Sequence, residues 1–109
     1  MTRSKYNNVK VTYDGHTFDS TKERDRYIVL RQWEREGKIQ ALELQTLYPL
    51  TVNGQKVCTY VADFTYLRPD GPQRLVVEDV NSAFIRKLTV YLLKFKLFRA
   101  VFGFDIIEV

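Results

Sequence analysis

The stretch KVCTYVADFTYLRPDGPQRLVVEDVN, residues 56–81, decides how this chain folds. Two runs rich in β-branched and aromatic residues flank "RPDG", residues 68–71, a turn signal. Together they read as a pair of adjacent strands. Each run carries acids where a buried strand is expected to be apolar: Asp63 in the first, Glu78 and Asp79 in the second. Burying a carboxylate without a partner is costly, so these acids need partners. Side chains alternate across a strand, so Asp79 and Asn81 share a face and Glu78 points the other way. A turn centred near residue 70 brings Asp63 and Asp79 toward the same end of adjacent strands, with their register left open. Two carboxylates brought together repel and require a cation or a shared proton. Their oxygen ligands suit Mg²⁺ or Mn²⁺. The alternative is a pair of structural acids bonded to loop amides or to an arginine.

On the N-terminal side, "NVKVTYDGHTFDS", residues 8–20, alternates at Val9, Val11 and Tyr13 and then turns at Asp14-Gly15, a hairpin signal. Residues 1–8 read as a mobile basic tail. Ser20 and Glu23 have capping-box spacing and Gly37 is a stop, which predicts a helix from Thr21 to Glu36. Glu23 shares the helix face of Tyr27 and Leu30, the face expected to meet the sheet. It is therefore either the capping partner of Ser20 or a third acid for the site. "LELQTLYPLTV", residues 42–52, is a further strand ending at Asn53-Gly54. Past the central stretch, residues 84–103 predict a helix closed by Gly103, with Leu88, Leu92, Phe95, Phe98 and Phe102 along one stripe and Lys87, Lys94, Lys96 and Arg99 off it. "FDIIEV", residues 104–109, is a last strand. The expected architecture is an α+β single domain over residues 1–109: a mixed four-stranded sheet flanked by two helices in the order αβββαβ, behind an N-terminal hairpin.

Composition bounds the function. At 109 residues with 45% hydrophobic and 14% aromatic content, the chain has the means for one folded core. Lys and Arg number 17 against 13 Asp and Glu, a net charge of +4 that favours an anionic partner, nucleic acid first. Arg3, Lys5, Lys10, Lys87, Lys94, Lys96 and Arg99 are the candidates to track phosphates, and a solvated helix face is the plainer account of several of them. The lone Cys58 excludes an internal disulfide and a cysteine-rich zinc site and fits a reducing cytosol. The N-terminus lacks the apolar core of a signal peptide, and no apolar run is long enough to span a bilayer. No Gly-rich phosphate loop or nucleophile elbow appears, and His16, beside a hairpin turn, reads as a surface residue.

Asp63 followed by Asp79-Val80-Asn81 resembles the signature of the PD-(D/E)XK nucleases with its final lysine replaced. More closely, "FDSTKERDRY", "LELQTLYPL", "YVADFTY", "VVEDVNS" and "LLKFKLFRAVFGFDIIEV" resemble the small phage and prophage endonuclease family DUF1064, over nearly the whole chain. The resemblance implies Mg²⁺-dependent cleavage of DNA phosphodiesters on branched intermediates of phage recombination or replication, with Mn²⁺ as a substitute. It implies that Asp63, Asp79 and the Val80 carbonyl are metal ligands, that Glu23 is a direct or outer ligand, and that position 81 is catalytic. Where the motif has lysine, this chain has Asn81, which keeps a hydrogen-bonding group and loses the charge. Lys94 and Lys96 are candidates to replace that charge. A paired cut on two strands implies a homodimer, acting in the cytoplasm of a bacterial host. The competing reading is a DNA-binding protein without catalysis, and a third is a purely structural interaction domain.

Overall fold

A computed structural model of the chain describes residues 9–71, 74–80 and 89–109. Two short strands, β1 (Val11–Tyr13) and β2 (His16–Phe18), precede helix α1 (Thr21–Arg35). Strands β3 (Gln40–Val52), β4 (Gln55–Leu67) and β5 (Leu75–Asp79) follow, then helix α2 (Thr89–Phe102) and strand β6 (Ile107–Glu108). The main sheet has the order β3-β4-β5-β6, antiparallel except for the parallel β5–β6 pair, which makes it mixed. This is the expected α+β arrangement, with α2 supplying the crossover that a parallel pair requires.

Local chemistry sets the boundaries. Asp14-Gly15 and Asn53-Gly54 both place two successive residues at positive φ, the geometry of two-residue hairpins that match strand twist. Ser20 caps α1 by accepting a hydrogen bond from the Glu23 amide at 3.1 Å. Gly103, at φ 82°, ends α2 with its amide bonded to the Arg99 carbonyl. The hairpin of β1 and β2 is held to α1 by Tyr27, whose hydroxyl donates to Asp14 and whose ring packs against Tyr13, His16 and Phe18.

The core has two halves. Phe18, Tyr27, Leu30, Ile39, Leu42, Phe64, Tyr66, Val76 and Val80 form one, against α1. Leu50, Tyr60, Ala62, Val77, Phe98 and Ile106 form the other, against α2. Val76 and Val77 are neighbours on β5 and fall into opposite halves, as alternation requires. Ala62 and Phe64 do not obey it: two residues apart on β4, they also fall into opposite halves. The change occurs at Asp63, and opposite it Gln45 sits at φ 54°. The two strands exchange faces at this point.

Helix α2 departs from the expected stripe. Phe98 is fully buried and is ringed by Tyr48, Tyr60, Phe102 and Phe104. Leu92 is exposed and Lys94 is half-buried, so the inward flank runs through Tyr91, Lys94, Phe95 and Phe98. The helix is apolar on most sides, and its hydrophobic periodicity therefore does not single out a face. Leu88 lies outside the described residues.

Candidate metal centre

Strand register lines up the polar residues. The β4–β5 ladder runs from Leu67↔Leu75 to Phe64↔Glu78, and its next step sets Asp63 opposite Asp79. On the other side of β4, Leu44↔Phe64 and Thr46↔Ala62 bracket Gln45 opposite Asp63. Gln45, Asp63 and Asp79 thus stand abreast on three adjacent strands. The parallel pairing Asp79↔Glu108 extends the row to β6. Glu23 approaches from the first turn of α1 and is only 4% exposed.

Hydrogen bonds tie the row together. Asp63 Oδ2 accepts from the Val80 amide at 2.7 Å. The Gln45 side-chain amide lies between two acids, 3.3 Å from Glu23 Oε1 and 3.5 Å from Asp63 Oδ1. Burial pushes Asp63 far above the usual carboxylate range, and its hydrogen bond and charge repulsion with Asp79 and the charge of Glu23 raise it further. Glu23 is pushed up to about 7, first by burial, then by the charges of Asp19 and Asp79, against a lowering bond from the Asp19 amide. These are carboxylates held where their own charge is unfavourable, the condition a cation relieves.

Asp63, Asp79 and Glu23 are therefore coupled electrostatically, but they are not closed into a finished cradle. Among the described residues, no three His, Cys, Asp or Glu side chains are grouped as a ready metal site. The Gln45 amide occupies space between Glu23 and Asp63 and must swing aside for both to reach one ion. Glu23 forms half of a capping box: its amide serves Ser20, while its carboxylate is turned inward to Gln45. Val80 is buried at the end of β5, beside Asp63.

Glu78, on the opposite face, has a different role. It is 1% exposed and accepts a two-pronged ion pair from Arg26 of α1, at 2.8 and 2.7 Å, together with a hydrogen bond from the Tyr66 hydroxyl. Of the two adjacent acids, one is neutralised by an arginine and one faces the acid row.

The basic candidates are dispersed. Lys10 and Lys96 are exposed. Arg99 is exposed and paired with Asp105 at 2.8 Å. Lys94 donates from Nζ to the Thr59 carbonyl at 3.2 Å, which makes it the more inward of the two replacement-lysine candidates. Arg3, Lys5, Lys87, Asn81 and the basic tail lie outside the described residues. A groove of about 570 Å³ between the hairpin, α1 and β3 is lined by His16, Arg31, Glu23 and Gln45, and gives one approach to the acid row. Gln45 and Tyr60 are site residues that the sequence does not announce. Only the strand register places Gln45 beside Asp63, and only the packing brings Tyr60 to the acids.

The family model described as "Protein of unknown function (DUF1064)" matches residues 3–105. The chain belongs to the DUF1064 family. The matched span contains Glu23, Gln45, Tyr60, Asp63, Asp79 and Asn81, and so the whole acid row except Glu108. No curated protein matches the sequence significantly. Among the described residues, no helix is long and apolar enough to cross a membrane.

Proposed function

We propose that this DUF1064 protein is a divalent-metal-dependent DNA endonuclease of the PD-(D/E)XK type, acting in the bacterial cytoplasm on branched intermediates of phage recombination or replication. The observation that carries this reading is the juxtaposition of Asp63, Asp79 and Glu23, from three separate elements, in a largely buried polar row between two apolar half-cores. A structural role fits these acids poorly, because among the described residues none of the three has an arginine or lysine partner of the kind Glu78 has.

The donor set is all oxygen, which suits Mg²⁺ or Mn²⁺ and not a softer metal. Asp63, Asp79 and the Val80 carbonyl would hold the ion, with Glu23 directly or through water. A bound ion supplies Lewis-acid polarisation of the scissile phosphate and lowers the pKa of a coordinated water. The protein's own contribution is positional. The Val80 amide fixes one Asp63 oxygen, so the other is free to face Asp79 and Gln45. Gln45 orients Glu23 relative to Asp63. Lys10, Lys96 and Arg99 supply exposed positive charge for the DNA backbone. A homodimer would present two sites to two strands.

One observation favours a second reading, DNA binding without catalysis: Asn81 stands where the nuclease motif has lysine. Cleavage assays on linear, nicked and four-way DNA in Mg²⁺, with Asp63→Asn as the comparison, separate the two. Metal-dependent cutting abolished by Asp63→Asn supports the nuclease. Salt-sensitive binding with no cutting of any substrate supports the binding protein.

A further inference from the structure

Gln45 stands on the open side of the acid row. It is exposed and lines the groove of about 570 Å³, whereas Glu23 and Asp79 are 4% and 6% exposed. Its side-chain nitrogen lies 3.3 Å from Glu23 Oε1 and 3.5 Å from Asp63 Oδ1. An ionised carboxylate can only accept, so the nitrogen and not the carbonyl of the amide faces the two acids. Among the described residues, Gln45 is the side-chain donor that Glu23 and Asp63 share.

Those contacts serve the metal-free protein. An amide N–H carries partial positive charge, and two of them set between two acids ease the repulsion that a cation would remove. An ion that touches both acids needs the place the nitrogen takes. Whatever the amide contributes to the metal-free state is therefore subtracted from the free energy of metal binding. Both contacts are longer than an ordinary N–H···O bond, so they are the weak end of the row. Gln45 belongs to neither half-core, and its side chain can turn out into the groove without unpacking either.

We propose that Gln45 is an internal competitor of the divalent cation: its amide bridges Glu23 and Asp63 in the metal-free protein and turns out into the groove when the ion binds. This rests on the reading of the row as a cation site. Gln45 then weakens metal binding, and it sets the ion concentration at which the site fills.

The test is Mn²⁺ binding by calorimetry at pH 8, with thermal unfolding in the absence of metal and in saturating Mn²⁺. The chains are the unaltered protein, Gln45→Met, Thr46→Val and Asp63→Asn. Methionine keeps the length of the side chain and the same backbone demand while removing both donors. Gln45→Met is expected to have a lower metal-free Tm, the same Tm as the unaltered protein in saturating Mn²⁺, and ~2- to 10-fold tighter Mn²⁺ binding, the worth of about one hydrogen bond. Thr46→Val, next along β3, loses a bond to Thr65 at 2.9 Å that the ion does not touch. Its Tm should fall equally with and without Mn²⁺, at unchanged affinity. Weaker Mn²⁺ binding by Gln45→Met overturns the proposal and makes Gln45 a ligand. Unchanged affinity with an equal Tm loss in both states overturns it too, by giving Gln45 the purely structural pattern of Thr46. So does tighter binding without a metal-free loss, because the amide then contributes nothing to the metal-free state. If neither the unaltered protein nor Gln45→Met binds Mn²⁺, or if Asp63→Asn binds it as well as the unaltered protein, the cation site itself is refuted and the role of Gln45 falls with it.

Discussion

Replacing Arg26 by methionine strands one of the most deeply buried charges in the chain. Glu78 is 1% exposed and receives both arms of the guanidinium, at 2.8 and 2.7 Å. Methionine keeps most of the aliphatic stem, and with it the packing near Trp33, whose ring the guanidinium covers at 5.0 Å. Among the described residues, it leaves Glu78 with the Tyr66 hydroxyl as its remaining side-chain hydrogen bond. Breaking a buried pair in this way costs about 3–5 kcal/mol. The Arg26 side chain is 21% exposed, so water can reach part of the vacated space, and the lower end, ~3 kcal/mol, is expected. For a domain of this size that is a fall of roughly 12 °C in Tm, at about 4 °C per kcal/mol. Glu78→Gln in the Arg26→Met background removes the stranded charge and should recover much of the loss, giving a coupling energy of ~2 kcal/mol in a double-mutant cycle. Arg99→Ala, which breaks the exposed pair with Asp105, should change stability by no more than ~0.5 kcal/mol. Urea and thermal unfolding of the unaltered protein, Arg26→Met, Glu78→Gln, the double variant and Arg99→Ala provide the measurements. A cost below ~1 kcal/mol for Arg26→Met, or a double variant no more stable than the single, would refute the assignment of Glu78 as a buried charge dependent on α1. Mn²⁺ affinity should be unchanged in Arg26→Met, because Glu78 faces away from the acid row.

Without metal, stability should fall as pH rises. Glu23 and Asp63 have folded pKa values above their ordinary values of 4.5 and 3.8, so their stabilising contribution is complete below about pH 4 and is lost as pH climbs through about 7, where Glu23 ionises, and beyond, where Asp63 follows; millimolar Mn²⁺ should flatten that slope, and an equal slope in Asp63→Asn would count against it. Gln45→Glu adds a carboxylate between Glu23 and Asp63, and is expected to lower the metal-free Tm at pH 8 while tightening Mn²⁺ binding, both readable in one thermal titration. Asn81→Lys restores a fixed cation to the motif and should raise the rate of Mg²⁺-dependent cleavage of branched DNA by on the order of 10²- to 10³-fold; equal, robust cleavage by both versions would move the role to another residue, Lys94 first.

Much of the scaffold was legible because short-range rules govern it. Asp14-Gly15 and Asn53-Gly54 need only the φ preferences of their residues, and the structure uses both pairs at positive φ. Ser20 and Gly37 bound α1 for reasons confined to one helical turn. The orientation of α2 was not legible, since valine, leucine and phenylalanine occur around most of its circumference and only the ring cluster at Phe98 selects a face. The face exchange of β3 and β4 was also hidden. Strict alternation places Ala62 and Phe64 together, and nothing in the composition of "YVADFTY" announces that the alternation breaks at Asp63.

That break explains how one short row can hold so many acids. A regular strand would direct Asp63 squarely into one half-core or into solvent. By exchanging faces at Gln45 and Asp63, β3 and β4 leave a seam between the two half-cores. There the apolar packing of Phe64 and Tyr66 ends and that of Tyr60 and Ala62 begins. Asp63 occupies this seam, and register brings Asp79 up beside it. A left-handed non-glycine residue inside a strand costs about 1–2 kcal/mol, and Gln45 adopts that conformation where its amide meets Glu23 and Asp63. Such strain is found preferentially where a side chain must be delivered to a site. The same sequence stretch therefore does two jobs on its two faces. Glu78 is neutralised by Arg26 and secures α1 to the sheet, while Asp79 is left in the seam with Asp63, where added positive charge lowers its energy. Among the described residues Glu78 has an arginine for a partner while Asp79 shares its seam with a second carboxylate, and a cation at the row would account for that difference.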